Sequence, residues 1–414
     1  MDHSPFTQLS KCRISGSSNL LQVLSLGTQA LTGVFPSSAT QHISSGPLEM
    51  MWCPDSGLVQ LNHSFRPSEM YGENYGYRSG LNQSMVDHLA SKARYLERLV
   101  GLQTGDVVLD IGSNDGTTLG AYQTPSVDLI GIDPTAGKFQ EFYKPGIRLV
   151  GDFFSASAFR ALSKKKAKLV TSISMFYDLE DPVSFAREVE SILADGGVWH
   201  LEQSYLPSML RTTSYDTICH EHLEYYSLST LVSILARADL KVIDVITNSV
   251  NGGSFAVTAC KKGNASLSVN HSVFQWTLAQ EERMGLLTPR PYRDFEERVW
   301  RHREDLTRLL VALVNDGKRV LGYGASTKGN VLLQFCKLGP EIIPAIAEVN
   351  SEKFGKFTPG SHIPIISEQE ARGLNPDYFL VLPWHFKNGI IKREAEFLNR
   401  GGRLIFPFPE IEIV

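Results

Sequence analysis

The 414-residue sequence has few cysteines and no long hydrophobic run, and each absence excludes a class of protein. The five cysteines are odd in number and widely scattered, which argues against a disulfide framework and favours reduced thiols in the cytoplasm. No apolar segment reaches the length of about 18 residues that indicates a membrane span, and the first residues do not resemble a signal peptide. We therefore expect a cytoplasmic protein without membrane association.

The sequence also lacks an excess of charge of either sign. The formal net charge is −4, from 40 basic and 44 acidic residues. Because the chain has no surplus of positive charge, neither nucleic acid nor an acidic membrane surface is an expected partner. Hydrophobic residues at 42% and charged residues at 20% are typical of a globular protein, and the length predicts two or three domains.

What the sequence does contain is a glycine-rich turn after a predicted buried strand. Residues 107–111 are apolar apart from Asp110, and residues 112–116 read Gly-Ser-Asn-Asp-Gly before a helix predicted to begin near Thr117. Glycine at such a turn lets backbone N–H groups approach a bound ligand. The next predicted strand ends in Asp133, an acid placed to accept hydrogen bonds from ribose hydroxyls. The pattern predicts a nucleotide-type cofactor site.

The form of this turn distinguishes between two cofactor classes. Dinucleotide enzymes more often carry G-x-G-x-x-G, whereas Asp-Ile-Gly-Ser-Asn-Asp-Gly resembles motif I of class I S-adenosylmethionine-dependent methyltransferases. In that fold an acid after the third strand commonly faces the adenine amino group, which makes Asp152 a candidate. The residues assigned to S-adenosylmethionine are Asp110, Gly112, Asn114, Asp115, Gly116, Asp133, Asp152 and Phe153.

The alternation of predicted strands and helices gives an α/β fold class. Over residues 83–262 it predicts a doubly wound sheet of the class I methyltransferase type, with its ligand at the carboxyl ends of the strands. Residues 1–82 are expected to form a small subdomain, and residues 263–292 a linker. Residues 293–414 predict a Rossmann-like domain, with a strand, a glycine turn at Gly324 and a helix that would suit a sugar-nucleotide diphosphate.

The N-terminal segment contains half of a zinc-binding pattern. Cys12-Arg-Ile-Ser15 and Cys53-Pro-Asp-Ser56 match the two halves of a C-x₂-C module, with serine in place of the second thiol of each half. A serine hydroxyl is a poor zinc ligand, and two thiolates alone do not close a tetrahedral site. We expect a zinc-ribbon-like subdomain that has lost its metal.

Two further segments are rich in groups that can exchange protons. Residues 214–227 contain two histidines, two glutamates and three tyrosines, directly after a strand predicted to end near the cofactor. Histidine carries protons near neutral pH, and a neighbouring carboxylate can fix its tautomer. The H-E-H spacing does not place two metal ligands on one helix face, so we favour an acid–base cluster; a polar loop that caps the sheet is the alternative. The tyrosines at 75 and 77 could position a sugar, transfer protons or simply pack.

The segments that begin at Asp110, Tyr215, Asn251 and Gly322 together resemble the three-domain sugar C-methyltransferases, over essentially the whole chain. That family acts on nucleotide-linked 4-keto-deoxyhexoses. The resemblance implies catalytic roles for Glu221, His222, Tyr75 and Tyr77. Contacts to the sugar-nucleotide are expected from His220, Tyr225, Asn251, Gly324, Lys328 and His385.

The sequence departs from the family pattern in three respects. Besides the two serines of the zinc module, Cys219 replaces a tyrosine two residues before the glutamate. The histidine expected after the fourth strand is absent, since the segment reads Phe176-Tyr-Asp178. These departures bear on the route of the proton and on which carbon is methylated.

The expected function is S-adenosylmethionine-dependent C-methylation of a nucleotide-linked 4-keto-deoxysugar, in a monomer or weak homodimer. The ketone would acidify the neighbouring C–H bond, and His222 oriented by Glu221, or a tyrosine, would remove the proton. Three alternatives remain open at this point. They are an O- or N-methyltransferase, a nicotinamide-dependent oxidoreductase with its site at residues 322–329, and a non-catalytic binding protein.

Overall fold

The computed structural model describes residues 5–66, 70 and 77–414. Within them, strands form sheets of two, four, seven and six members. In chain order the strands are β1 (Phe6–Gln8), β2 (Leu21–Ala30), β3 (Ser45–Trp52), β4 (Val59–Leu61), β5 (His63–Phe65), β6 (Val107–Ile111), β7 (Asp128–Ile132), β8 (Arg148–Val150), β9 (Ala167–Ile173), β10 (Leu193–Ser204), β11 (Glu224–Tyr225), β12 (Leu240–Asn248), β13 (Ser254–Lys261), β14 (Val320–Tyr323), β15 (Ile346–Glu348), β16 (Ile365–Ser367), β17 (Tyr378–Val381), β18 (Arg403–Phe406) and β19 (Glu412–Ile413).

Helices connect most of these strands. The α-helices of the described residues are α1 (Gln83–Val100), α2 (Ala136–Phe139), α3 (Ala156–Leu162), α4 (Pro182–Ile192), α5 (Leu206–Thr212), α6 (Leu228–Arg237), α7 (His271–Met284), α8 (Arg290–Asn315), α9 (Thr327–Phe335), α10 (Glu368–Gly373), α11 (Lys387–Arg393) and α12 (Ala395–Asn399). Short 3₁₀ helices lie at Ser79–Leu81, Leu119–Ala121, Gln140–Phe142, Phe176–Asp178, Tyr215–Thr217, Val250–Gly252, Ser351–Lys353 and Trp384–Phe386.

The central sheet has the strand order β12-β13-β10-β9-β6-β7-β8. Strands β6 to β10 are parallel, and β13 runs antiparallel between β10 and β12. All five residues of β6 are buried, as expected for a parallel strand covered on both faces. The chain order reverses between β6 and β9, and a ligand of an open α/β sheet binds beyond the carboxyl ends of the strands at such a point.

The helix that precedes β6 forms as the hydrophobic spacing predicts. Met85, Leu89 and Leu96 lie on its buried face, and the side chain of Asn82 caps its N-terminus by accepting from the N–H of Ser84. After the glycine turn, however, the helix predicted to begin near Thr117 is absent from the described residues, where the chain instead forms the short 3₁₀ helix Leu119–Ala121.

The N-terminal sheet is completed by a strand from far along the sequence. Its order is β11-β4-β3-β2. Strand β11 begins at Glu224, which is 163 positions after β4 ends at Leu61. Glu224 pairs with Gln60, and Tyr225 with Val59. The segment predicted as an acid–base cluster therefore continues directly into the N-terminal subdomain.

The C-terminal sheet has the order β16-β15-β14-β17-β18-β19, parallel except for β19. Its hydrophobic core is continuous with that of the N-terminal sheet, because Leu24 and Met50 belong to the same buried cluster as Phe295 of α8 and Leu321 of β14.

The linker predicted between the two large domains is largely helical. Among the described residues, no helix combines the length and the apolar character that crossing a membrane requires.

Candidate active site

The glycine-rich turn after β6 has an unusual backbone conformation. Gly112, Asn114 and Gly116 have φ angles of 72°, 51° and 74°, in the left-handed region that favours glycine and asparagine. The N–H of Gly112 donates to the carbonyl of Ile132 at 2.9 Å. The turn is thereby fixed to the end of β7, at the carboxyl edge of the central sheet.

Asp133 follows β7 and holds this turn through its carboxylate. Its Oδ2 accepts from the N–H of Asn114 at 2.8 Å, and its Oδ1 accepts from the N–H of Thr135 at 2.6 Å and from the Thr135 hydroxyl at 2.5 Å. A carboxylate has about four lone-pair sites, so one acceptor position remains. That position can serve the ribose hydroxyls predicted from the sequence.

Asp110 lies beneath the turn, away from any ligand-facing surface. It is 2% exposed, and its Oδ1 accepts from the hydroxyl of Thr171 at 2.6 Å. Burial raises the pKa of this carboxyl to about 7. The structure does not support the predicted direct contact with the cofactor, because the Asp110 side chain instead joins β6 to β9.

The side chains of Asn114 and Asp115 connect the turn to the segment that precedes α1. Asn114 accepts from the N–H of Ser79 at 3.0 Å and donates to the carbonyl of Tyr77 at 3.1 Å. Asp115 accepts from the N–H of Gly80 at 2.8 Å. The predicted cofactor turn and the predicted tyrosine segment are therefore in direct contact, but these two side chains are occupied by protein backbone.

The remaining residues predicted around the cofactor are accessible. Asp152 and Phe153 follow β8, and the Phe153 side chain is 52% exposed. Tyr77 is 50% exposed. Tyr75 lies outside the described residues, so its predicted catalytic role stays a prediction.

His222 has the geometry of a general base. Its Nδ1 lies 2.9 Å from the carbonyl oxygen of Thr217. A carbonyl can only accept, so Nδ1 carries the proton and Nε2 presents a lone pair. Burial, assisted by the charge of Lys328, lowers the pKa of His222 to about 4, so the ring is neutral at pH 7. The ring of Tyr177 lies beside it at a centroid distance of 4.2 Å.

Glu221 does not orient His222, contrary to the prediction. Its carboxyl group faces Thr32 and Gly33 of the N-terminal subdomain and the thiol of Cys219. Burial raises its pKa, which favours the protonated form. Adjacent residues in an extended turn point in different directions, and here the tautomer of His222 is fixed by a backbone carbonyl instead.

The other predicted residues of this segment are enclosed. His220 is 1% exposed, its Nε2 lies 3.2 Å from the carbonyl oxygen of Gly46, and burial lowers its pKa to about 4. Since a carbonyl only accepts, Nε2 of His220 is the donor. Tyr225 is 4% exposed on β11, close to Cys219 and Glu221. The structure gives His220 a packing position in the N-terminal sheet rather than a ligand-facing one.

The C-terminal domain brings its own side chains to the same place. Lys328 donates to the carbonyl of Asn251 at 2.6 Å, and the indole N–H of Trp384 donates to Asp216 at 2.8 Å. The charge of Lys328 also contributes, after burial, to lowering the pKa of His385 to about 3. Asn251, Lys328 and His385, predicted from separate motifs, thus gather at the interface of the two large domains near His222.

The second glycine turn is packed by protein. A Cβ on Gly324 would lie 2.7 Å from ring carbons of Pro383. Glu348, at the end of β15, accepts from the N–H of Ala325 at 2.8 Å and from those of Val349 and Asn350 at 2.8 and 2.9 Å. The predicted diphosphate contact of Gly324 is not supported, and neither is a nicotinamide site at this turn.

Family models match each of the three predicted parts of the chain. They are described as "C-methyltransferase C-terminal domain" over residues 249–409, "Methyltransferase domain" over residues 86–245 and "Putative zinc binding domain" over residues 12–71. C-methyltransferase NovU of Streptomyces niveus is 33% identical over 412 residues, which cover 98% of this chain and 97% of that protein.

The chain belongs to the three-domain C-methyltransferase family.

Membership establishes a class I fold and an S-adenosylmethionine-dependent C-methyltransferase activity, and it decides against the O- or N-methyltransferase, oxidoreductase and binding-protein alternatives. Solved structures with similarity to this C-methyltransferase include an S-adenosylmethionine-dependent methyltransferase of Clostridium acetobutylicum (13% identity, TM-score 0.33, covering 43% of this chain and 92% of that one). Another is the CcbJ methyltransferase of Streptomyces caelestis (11% identity, TM-score 0.33, covering 42% and 89%).

The first glycine turn of the C-methyltransferase fits S-adenosylmethionine. The remaining acceptor position of Asp133 suits ribose hydroxyls, and the exposed ring of Phe153 can contact an adenine face. The atoms nearest to a Cβ on Gly112 or Gly116 belong to the side chains of Met175 and Tyr143, and not to backbone. Asp133, Phe153 and the backbone of the turn are therefore the residues that would hold it.

The two half-patterns of the N-terminal subdomain, Cys12 to Ser15 and Cys53 to Ser56, do not fit zinc. The four pattern residues do come together, with Cys12 Sγ 3.2 Å from the Ser56 hydroxyl and Cys53 Sγ 3.6 Å from the Ser15 hydroxyl. Two neutral hydroxyls cannot replace two thiolates around a tetrahedral ion. In the part of the chain that the structure describes, no group of three or more His, Cys, Asp or Glu side chains could hold a metal.

Sequence reasoning missed three contributors to the site. Thr217 fixes the tautomer of His222 through its backbone, which no side-chain pattern reveals. Asp216 and Trp384 hydrogen-bond across the domain interface, a contact that depends on domain packing. A charge cluster at the end of β10 was also overlooked, in which Glu202 bonds to His88 at 2.5 Å and to Lys92 at 2.6 Å.

Proposed function

We propose that this C-methyltransferase methylates the carbon next to the ketone of a nucleotide-linked 4-keto-deoxyhexose, with His222 as the general base. The observation that carries this proposal is the fixed tautomer of His222, with its Nε2 lone pair near the domain interface. The resemblance of the chain's motifs to sugar C-methyltransferases supports the class of substrate.

A carbon atom becomes a nucleophile only after it loses a proton. His222 Nε2 takes the proton from the carbon next to the ketone, the C–H electron pair forms the C=C bond of the enolate, and the carbonyl pair moves onto oxygen. S-adenosylmethionine, when bound, supplies an electrophilic methyl group to that carbon. The rigid contact between the turn after β6 and residues 77–80 positions the two reactants and limits the entry of water.

Glu221 has a positioning role in this scheme. Its carboxyl group packs against Gly33, where an added Cβ would lie 2.9 Å from Oε1, so the N-terminal subdomain would support the turn that carries the base. This assignment replaces the predicted Glu–His pair, in which the carboxylate would have raised the basicity of the ring.

Solvent exchange tests the proposed function. In D₂O without the methyl donor, the wild-type protein should wash out the proton next to the ketone of thymidine-diphosphate 4-keto-6-deoxyglucose, followed by NMR. His222→Gln should slow washout by about 10²- to 10⁴-fold, as expected for loss of a general base. The wild-type rate should rise with pH through about 4 and then level, because only the neutral ring accepts the proton.

The matched control is His271→Gln, an exposed histidine at the start of α7, which should leave washout unchanged. Washout that persists in His222→Gln would assign the base elsewhere. No washout with any 4-keto-deoxyhexose by the wild-type protein would contradict the carbon-acid mechanism.

A further inference from the structure

Lys328 is a partly buried cation in an unfavourable position. It is the second residue of α9, whose N-terminus is capped by the side chain of Ser326 and carries the positive end of the helix dipole. Anions are favoured at such a position and cations are not. Burial also lowers the pKa of Lys328, so loss of solvation disfavours its charged form as well. A charge kept at a site that disfavours it is a candidate for function.

The groups around the Lys328 ammonium belong to the proposed active site. They are Asp216 and Cys219, which favour its charged form, and His222 and His385, whose protonation it disfavours. Asp216 only partly compensates the charge, because its carboxylate also accepts from the indole of Trp384. Among the described residues, the Nδ1 atom of His385 is buried and has no hydrogen-bond partner. The region therefore offers an unsatisfied polar atom beside a cation.

The backbone that meets Lys328 is strained. Asn251, Gly252 and Gly253 have φ angles of 55°, 90° and 127° in succession. A Cβ on Gly252 would lie 2.9 Å from the Trp384 indole, so this close approach requires glycine. Strained backbone of this kind clusters at functional sites. Here it brings the Asn251 carbonyl to 2.6 Å from Lys328 Nζ and fixes the position of the ammonium.

The geometry points to Lys328 as the residue that binds the substrate's carbonyl oxygen and stabilises the negative charge that develops there when His222 removes the proton. The inference rests on the proposed function and deepens it. As the proton reaches Nε2, the carbonyl electron pair moves onto the oxygen opposite the ammonium. When the carbon bonds to the methyl group, that pair returns to re-form the C=O bond, so Lys328 needs to give up no proton.

Such a cation also answers a difficulty in the proposed mechanism. A histidine with a low pKa is a weak base, and it can ionise a carbon acid only if the resulting oxyanion is strongly stabilised. The same positive charge that, together with burial, disfavours protonation of His222 would lower the energy of the enolate. The C-terminal domain would then contribute directly to proton abstraction, and not only to binding of the nucleotide.

Lys328→Gln tests this assignment, because glutamine can still donate to the Asn251 carbonyl but carries no charge. At saturating thymidine-diphosphate 4-keto-6-deoxyglucose in D₂O, its maximal washout rate should fall by about 10²- to 10³-fold, with KM changed less than about threefold. The acid limb of its pH profile should shift upward, because removal of the cation raises the pKa of His222. Lys328→Arg, which keeps the charge, should retain more of the rate.

Lys353→Gln is the matched control, since Lys353 is also a partly enclosed lysine that donates to a backbone carbonyl, that of Ala325 at 2.7 Å, but lies beside Glu348. It should leave the washout rate and its pH profile unchanged. If Lys328→Gln instead raises KM at an unchanged maximal rate, Lys328 binds the diphosphate and the inference is wrong. Equal losses in Lys328→Gln and Lys328→Arg would also overturn it. Failure of wild-type washout would reject the proposed function itself.

Discussion

The two glycine turns of this C-methyltransferase are built alike and differ in what faces them. In each, the acid at the end of the next strand accepts from a backbone N–H of the turn, Asp133 from Asn114 at 2.8 Å and Glu348 from Ala325 at 2.8 Å. In each, the second carboxylate oxygen accepts from groups just after the strand. The acids are therefore not what distinguishes a ligand site from a structural turn.

The two turns differ in the side chain that packs against their glycines. Gly116 faces the ring of Tyr143, a side chain whose hydroxyl is hydrogen-bonded to Ser113 and to the carbonyl of Asn114 at 2.8 Å, whereas Gly324 faces the ring of Pro383, which is closed onto its own backbone and cannot rotate. Lys328, the second residue of the helix after the second turn, is also directed across the domain interface. A strand, a glycine turn and an acid thus predict a local structure, and the neighbouring segment decides whether a ligand can enter.

The largest expected difference between the two turns comes from neutralising their acids, Asp133 and Glu348. Asp133→Asn should weaken the binding of S-adenosylhomocysteine by about 10- to 100-fold, as for loss of a charge-assisted hydrogen bond. Glu348→Gln should leave that affinity unchanged. Both should lower the free energy of unfolding by about 1–3 kcal/mol, since each leaves backbone N–H groups facing an amide NH₂. Titration calorimetry and urea denaturation measure the two effects; equal losses of affinity would mean that the turns are functionally equivalent.

A smaller contrast should come from adding a methyl group to each glycine. Gly324→Ala combines a φ of 81° with an immovable contact at 2.7 Å, and should lower the free energy of unfolding by about 1–3 kcal/mol without changing the affinity for S-adenosylhomocysteine. Gly116→Ala, at a φ of 74°, would displace the Tyr143 ring and its hydrogen bonds to the turn, so it should destabilise the protein to a similar extent and, unlike Gly324→Ala, also weaken that affinity. A stable Gly324→Ala variant would show that the second turn is open.

The smallest effect on S-adenosylhomocysteine binding is expected from Phe153, at the edge of the proposed cofactor site. Phe153→Ala should weaken S-adenosylhomocysteine binding by about twofold to tenfold, because an exposed aromatic contact contributes about 0.5–1.5 kcal/mol. Leu287→Ala, at the 69%-exposed Leu287 of the linker, is the control and should have no effect on binding. An unchanged affinity in Phe153→Ala would remove Phe153 from the cofactor site.

Local sequence patterns predicted what local interactions determine. The strand–turn–strand around Asp133, the amphipathic helix that buries Leu89 and the three-part order of the chain all follow from spacing and turn chemistry. The direction of Glu221 did not follow, because its contacts come from Thr32 and Gly33, about 190 positions earlier in the chain. Nor did the placement of Lys328, which depends on how two domains pack. The helix expected near Thr117 was wrong because the turn continues into a 3₁₀ helix.

The pairing of β11 with β4 has a consequence for how the chain is made. During synthesis, the N-terminal sheet cannot be completed until residue 225 has emerged from the ribosome. Its other edge is held by Gln334, which exchanges hydrogen bonds with the backbone of Ala30 at 2.8 and 3.2 Å, so that contact waits for α9. The first 66 residues are therefore not a module that could be exchanged between relatives, because their last strand and their docking helix are encoded far downstream.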